Sequence, residues 1–196
     1  ALRCLPGFQF AAATAHLVQP APAATCRRNL FSDPSSRYTR GVNVLVRGRR
    51  HSVRTVTFDR NDNAVRLINQ RALPHRFEII STADHRATAA AIRDMTVRGA
   101  GAIGATAAYG LAQGIQAFRG TDSARFAAHV DRVFAILRDA RPTAVDPVNA
   151  MNDVRRAMTP EAGVREQQRQ ALDAAAEFAE DNVAHCRAIG EHGEHL

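Results

Sequence analysis

Two predicted helices meet in residues 92–104, which read IRDMTVRGAGAIG. The first carries apolar residues at helical spacing up to about Met95, and the second runs from about Gly99 to Phe118. One face of the second helix consists of small residues, which allow another helix to approach closely: Gly101, Gly104, Ala105 and Ala108. This stretch therefore predicts two helices that meet at a glycine-containing junction.

Upstream of this junction the sequence pattern is extended. Apolar and polar residues alternate in residues 42–46 and 53–58, and the polar cluster at 59–63 is typical of a turn. Residues 64–68 resume the alternation, so a β-hairpin is predicted, and residues 77–80 can supply another short strand.

Downstream of the junction the apolar spacing is helical. An apolar stripe from Phe126 to Leu137 predicts a third helix, and a fourth is predicted at about Pro147–Met158. A last long helix is predicted at about 162–189, broken at Gly190. Because strands precede helices without a βαβ repeat, the predicted fold class is α+β, a small antiparallel β-sheet followed by a mostly helical bundle.

Composition and charge favour a soluble globular protein. Of the 196 residues 45% are apolar, and no apolar run approaches the roughly 20 residues that cross a bilayer. The net charge of +7 comes from 26 basic residues that are all arginine, a bias that fits a high-GC coding preference better than a selected basic patch. We therefore expect neither a membrane nor nucleic acid as a partner, with nucleic-acid binding through the Arg-rich start as an alternative.

Residues 1–43 differ from the rest of the chain. They are rich in Ala, Pro, Ser and Arg, contain Asp33 as their only acid, and have no sustained period. This composition predicts a disordered or leader-like segment, for which a transit peptide and a start site placed too far upstream are both open interpretations. The folded domain is expected to comprise residues 44–196.

The spacing of cysteine and histidine indicates neither a disulfide framework nor a metal site. Cys4, Cys26 and Cys186 are odd in number and form no CxxC pair, which favours free thiols in a reducing compartment. His185 and Cys186 are adjacent and do not have the HExxH spacing with His192. No metal is therefore predicted.

The junction at residues 92–104 is also a candidate ligand site. Gly99 and Gly101 leave backbone N–H groups free at a helix N-terminus, and Arg98 lies beside them. Such a place suits phosphate, because the helix dipole and amides favour an anion and a guanidinium can bind two of its oxygens. Glycine there is more often a helix cap or a packing feature, so those interpretations stay open.

Two further segments hold candidate residues. Arg141 precedes Pro142, which favours an extended backbone and fixes the direction of the arginine side chain, so Arg141 can be a second anion clamp. A helix-terminal arginine that complements the dipole is the alternative. His75, in the polar segment 69–75, can be an acid or base, or a structural histidine.

Five segments follow one another along the chain. They are NQRALPH at 69–75, AIRDMTVRGAGAIG at 91–104, AAYG at 107–110, RPTAV at 141–145 and RAIGEHG at 187–193. In this order and spacing they resemble the N-terminal half of the methylthioribose-1-phosphate isomerases, over about residues 53–196. The resemblance extends to ribose-1,5-bisphosphate isomerases and to the regulatory subunits of the translation initiation factor exchange complex.

The resemblance implies an aldose-ketose isomerase that converts 5-methylthioribose 1-phosphate into 5-methylthioribulose 1-phosphate in methionine salvage. It implies that Arg98, Gly99, Ala100 and Arg141 bind the substrate, with the arginines on its phosphate. It also implies a cytoplasmic homodimer that needs no metal or nucleotide cofactor, while a transit peptide at residues 1–43 would indicate an organelle instead.

The resemblance places the catalytic cysteine and aspartate in a C-terminal Rossmann-like domain, which is expected to be missing from this chain. Cys186 does not match that cysteine, so we expect no catalytic residue before Leu196 and no activity from the chain alone. Many members have proline where Gly101 stands, and glycine occurs there in isomerases of other sugar phosphates. A substrate such as ribose 1,5-bisphosphate, or a non-catalytic binding or regulatory role, is therefore the alternative.

Overall fold

The computed structural model of the chain describes residues 42–46 and 48–193. The predicted leader-like segment lies outside these residues, except for Val42 and Asn43, which begin the first strand. Five strands precede five helices within the described part of the chain, and this order confirms the predicted α+β class. The strands are β1 Val42–Val46, β2 Arg49–Val53, β3 Val56–Asp59, β4 Ala64–Ile68 and β5 Ile79–Thr82.

The strands form two antiparallel sheets where the sequence predicted one. Strands β1 and β2 pair in a two-stranded ribbon, with Val42 opposite Val53. Strands β3, β4 and β5 form the second sheet in that order, and β3 and β4 are the predicted hairpin. Residues 53–58 were predicted as one strand but belong to two. Arg54 and Thr55 do not pair within the ribbon, and β3 begins at Val56. Thr55 O instead accepts a hydrogen bond from Ile68 N of the second sheet.

The helices lie close to their predicted positions: α1 His85–Arg93, α2 Ala100–Gln116, α3 Ser123–Ala140, α4 Val145–Ala157 and α5 Val164–Gly193. Asp84 caps α1, since its Oδ1 accepts a hydrogen bond from Ala87 N at 2.8 Å. The predicted break at Gly190 is wrong, because α5 continues through it. A single glycine costs a helix only about 1 kcal/mol, which its helix-forming neighbours offset.

Helix α2 is the centre of the core, and every residue from Ile103 to Ile115 is buried. Its glycines allow neighbouring helices to approach closely. A Cβ on Gly104 would lie 3.2 Å from Phe178 of α5, and a Cβ on Gly110 would lie 2.8 Å from Thr88 of α1. A Cβ on Gly114 would lie 2.4 Å from Val133 of α3. The predicted close packing of this helix is confirmed.

A buried polar network joins α2 to the second sheet. The amide nitrogen of Gln113 donates to Asn63 O at 2.9 Å and to Thr82 O at 2.8 Å. Its amide oxygen accepts from the Thr88 hydroxyl at 2.8 Å, so each polar atom of this side chain has a partner. The network holds the hairpin turn, β5 and α1 against one position of α2.

Ion pairs connect the hairpin to α5. Arg54, just before β3, pairs with Glu180 at 2.6 Å, and Arg60 in the hairpin turn pairs with Asp173 at 3.1 Å. The start of β3 therefore lies beside the second half of α5, and the turn after β3 lies beside its first half. Among the described residues no helix is both long and apolar enough to cross a membrane.

Candidate functional site

Met95 is the point on which the two predicted arginines converge. It follows α1 and has a φ of 58°, a left-handed conformation that is uncommon for a residue with a side chain. Arg98 Nε donates to Met95 O at 3.3 Å, and Arg141 Nη1 contacts Met95 Sδ. The structure therefore brings Arg98 and Arg141 together, although they are far apart in the sequence.

The N-terminus of α2 lies directly after Arg98. Gly99 is the capping residue, with φ 90° and ψ 133°, and it has no side chain to accept a hydrogen bond from the first turn. The first backbone N–H groups of α2 therefore lack helical partners. Gln70 supports the junction from the other side, since its backbone N donates to Thr96 O at 2.9 Å and its side chain donates to Arg98 O at 3.3 Å.

A second helix N-terminus lies against the first turns of α2. Helix α4 begins after Ala144, which also makes no side-chain cap. A Cβ on Gly104 would lie 3.5 Å from Asp146 O, so the first turn of α4 packs on α2 at this glycine. Arg141 is the C-cap of α3 and precedes this turn, with φ −150° and ψ 78°. Its φ is within the range that a following proline favours, but its ψ is smaller than that of the extended backbone predicted there.

The charges of this region favour an anion. Arg98 is exposed and Arg141 is half-buried, and neither forms an ion pair with a carboxylate of the described residues. Two guanidinium groups thus lie beside Met95 near the N-terminus of α2, where the helix dipole favours an anion. Gly99 and Ala100 are exposed, so a ligand can reach the free amides.

A cavity of about 700 Å³ lies on the α5 side of the same helix terminus. We call it the α2–α5 cavity; β3 with the two residues before it, the first turns of α2 and the second half of α5 line it. Gly99 and Ala100 belong to its lining, whereas Arg98 and Arg141 do not. Two of the four predicted substrate-binding residues therefore border both the arginine pair and the cavity.

Other candidate residues stay apart from this region. His75 is exposed, and among the described residues no hydrogen bond joins it to the junction. Cys186 is exposed on α5, where it lines the α2–α5 cavity. Within residues 42–46 and 48–193 no group of three or more His, Cys, Asp or Glu side chains is placed to hold a metal ion.

Sequence reasoning missed Met95, Asn182 and the cavity itself. Nothing in a one-dimensional pattern distinguishes a methionine in the left-handed region from one in a helix. Asn182 contacts Gly101 across the helix interface, and the only signal for this was the glycine at a helix terminus.

The sequence matches one family profile and a group of isomerases. The sequence profile of the Initiation factor 2 subunit family matches residues 96–196. The methylthioribose-1-phosphate isomerase of Thermosynechococcus vestitus is 40% identical over 132 residues, which cover 66% of this chain and 37% of that protein.

Two solved structures resemble the fold. The 5-methylthioribose 1-phosphate isomerase of Pyrococcus horikoshii has a TM-score of 0.62 and 32% identity, covering 65% of this chain and 36% of that chain. The delta subunit of translation initiation factor eIF-2B from A. fulgidus also has a TM-score of 0.62, with 30% identity over 67% of this chain and 38% of that chain. The chain thus spans well under half the length of these relatives.

Proposed function

Since the chain belongs to the Initiation factor 2 subunit family, we propose that it is part of a sugar-phosphate isomerase and supplies the substrate-phosphate-binding side of the site. The substrate we propose is 5-methylthioribose 1-phosphate, the sugar phosphate in the names of its isomerase relatives. The reaction converts this aldose phosphate into the corresponding ketose phosphate, a step of methionine salvage.

The observation that carries the proposal is the convergence of Arg98 and Arg141 on Met95 beside the free amides of α2. The two guanidinium groups can each donate to phosphate oxygens, and the amides of Gly99 and Ala100 can approach the same anion. Glycine at position 99 leaves the backbone accessible, because nothing lies within 4 Å of the position of a Cβ there.

Holding the phosphate orients the reacting carbons of the sugar. The conversion moves a hydrogen between C2 and C1 and requires acid–base groups near them. Neither an arginine nor a backbone amide is suited to that proton transfer at neutral pH. We therefore propose that the four residues bind and position the substrate, and that the acid–base groups belong to the C-terminal domain that the family resemblance implies.

Calorimetric titration with 5-methylthioribose 1-phosphate tests the binding role. We expect Arg98→Ala and Arg141→Ala each to weaken binding roughly 10- to 100-fold, because a hydrogen bond to a charged group contributes about 1.5–3 kcal/mol. Arg132→Ala is the matched control, since Arg132 is an exposed arginine within α3. Equal affinities for the three variants and the unaltered chain would contradict the proposed phosphate site.

A non-catalytic regulatory subunit is the second candidate, because the fold matches the A. fulgidus translation initiation factor subunit as well as it matches the isomerase. This candidate predicts no affinity for pentose 1-phosphates. Binding of 5-methylthioribose 1-phosphate that depends on Arg98 and Arg141 would rule it out, whereas absence of binding by the unaltered chain would favour it.

A further inference from the structure

Helix α1 ends in a Schellman motif whose left-handed residue is Met95. The backbone N–H of Thr96 donates to Ala91 O at 3.0 Å. The backbone N–H of Met95 donates to Ile92 O at 3.2 Å. These two hydrogen bonds define the motif, and its left-handed position is usually occupied by glycine. Met95 has a φ of 58° there, which is unfavourable for a residue with a Cβ. The turn of the backbone therefore does not by itself account for a methionine at this position.

The side chain of Met95 makes a contact that glycine could not make. Met95 is half-buried, and its Sδ contacts Nη1 of Arg141, which lies 46 residues further along the chain at the C-terminus of α3. A thioether sulfur is a weak hydrogen-bond acceptor. Within residues 42–46 and 48–193 no other side chain bonds to this guanidinium group. The position of the Arg141 head group relative to α1 therefore depends on Met95.

Both arginines of the pair are held by uncharged atoms of Met95. Arg98 Nε donates to the carbonyl oxygen, and Arg141 Nη1 contacts the sulfur. Neither atom carries a net charge, so the contacts fix the guanidinium groups without cancelling the positive charge that attracts an anion. Each guanidinium also keeps donors for a ligand. Arg54 and Arg60 differ from this pair, since each is bound to a carboxylate of α5.

Anchoring of an arginine before the ligand arrives strengthens binding. A long side chain that is free in the unbound protein loses rotational freedom when it closes on a ligand, and this loss weakens the affinity. Arg141 is half-buried and already restrained by the sulfur of Met95. Part of this entropic cost is therefore met when the chain folds.

We propose that Met95 is a positioning residue of the phosphate site, whose sulfur presets Arg141 and whose carbonyl oxygen presets Arg98 beside the N-terminus of α2. This inference rests on the proposed function and deepens it, because it assigns the arrangement of the arginine pair to one residue at the end of α1. The anion contacts the arginines, and Met95 acts through them.

Calorimetric titration of the full 196-residue chain with 5-methylthioribose 1-phosphate tests the inference with two substitutions. Met95→Leu keeps an apolar side chain of similar volume but lacks the sulfur, so we expect binding to weaken about three- to tenfold, the effect of releasing one flexible side chain. Met95→Gln supplies another uncharged acceptor and should bind within about twofold of the unaltered chain. Met158→Leu is the matched control, since Met158 is a half-buried methionine at the C-terminus of α4. Its affinity should be unchanged.

The Arg141→Ala background distinguishes positioning from a general structural disturbance. Residues that act through one another have non-additive effects. Met95→Leu should therefore cause no further loss of affinity once Arg141 is alanine. A structural disturbance would lower the affinity by the same factor in both backgrounds.

Met95→Gly provides a second variant whose backbone is favourable. Glycine is the usual residue at this position of the motif, so this variant is expected to fold even where leucine in the left-handed conformation does not. It lacks the side chain and should bind about as weakly as Met95→Leu. Circular dichroism establishes that each variant is folded.

The outcomes separate this inference from the proposed function. Tight binding by folded Met95→Leu or Met95→Gly, together with weakened binding by Arg98→Ala and Arg141→Ala, would overturn the inference and leave the phosphate site intact. The same loss from Met95→Leu in both backgrounds, or no rescue by Met95→Gln, would also overturn it. Failure of the unaltered chain to bind would overturn both.

Discussion

Gly99 combines φ 90° with ψ 133°, a backbone conformation that essentially only glycine adopts without strain. No atom lies within 4 Å of the position of its Cβ, so a substitution there changes the backbone energy without a steric clash. We expect Gly99→Ala to lower the free energy of unfolding by about 1–3 kcal/mol, measured by urea denaturation. An unchanged midpoint would contradict the conformation assigned to Gly99.

Gln113 offers a second prediction at the scale of one residue. Its side chain is 1% exposed and makes three hydrogen bonds across two elements and a turn. Gln113→Leu keeps the volume but leaves Asn63 O and Thr82 O without these donors, so we expect a loss of about 3 kcal/mol in the free energy of unfolding.

Gln170→Leu is the control for that substitution. Gln170 is a half-buried glutamine of α5 that bonds to Thr159 near the surface, and we expect its replacement to cost less than about 1 kcal/mol. Similar losses for the two variants would mean that the buried network does not connect α2 to the sheet energetically.

Among the elements, α5 illustrates what the sequence could predict and what it could not. Helical spacing of apolar residues placed all five helices, because burial against a core imposes that period. The break predicted at Gly190 failed because a lone glycine is only a weak helix breaker when its neighbours favour the helix. The division of residues 53–58 between two strands could not be predicted either, because alternation of apolar and polar residues does not determine which strand a segment pairs with.

Gly190 lies in the last turn of α5. Nothing lies within 4 Å of the position of its Cβ, and it is an exposed residue of the helix. Gly190→Ala should therefore raise helix content and stabilise this end of α5 by about 0.5–1 kcal/mol. Circular dichroism and hydrogen exchange of the last turns measure the effect. No gain in either would place the end of α5 before Gly190, as the sequence predicted.

His85 at the start of α1 contacts α2 and makes the packing of these elements sensitive to pH. A Cβ on Gly114 would lie 3.2 Å from His85 Cγ, and His129 of α3 bonds to Gly114 O at 2.8 Å. Burial lowers the pKa of His85 below its usual value of 6.5; the Asp84 carboxylate opposes this shift, while Arg86 and His129 reinforce it.

Since the unfolded chain then binds a proton at His85 more readily than the folded chain, stability falls as the pH decreases from about 6.5. The loss ends below the folded-state pKa, where both states are protonated. The midpoint temperature of thermal unfolding should fall less steeply between pH 8 and pH 5 for His85→Asn than for the unaltered chain. Parallel curves for the two proteins would exclude His85 as the source of this pH dependence.

At the scale of the whole molecule, the candidate site combines a part that sequence could identify with a part that it could not. The Arg98-Gly99-Ala100 junction was predicted because glycine and arginine at a helix terminus have a local physical meaning. Its pairing with Arg141 through Met95 depends on packing between α1 and α3. The cavity depends on α5 returning to β3, a contact that involves residues far apart in the chain.

The same architecture predicts how stability is distributed over the described residues. Helix α2 is buried from Ile103 to Ile115 and packs against all four other helices, so its amides should exchange with solvent only through global unfolding. Strands β1 and β2 form a ribbon of only two strands in which Leu45 is 73% exposed, and such ribbons are marginally stable in water. Hydrogen exchange followed by mass spectrometry should therefore show α2 peptides protected longest and β1–β2 peptides exchanging first. Equal protection of both would mean that the ribbon and the helical core unfold together as one cooperative unit.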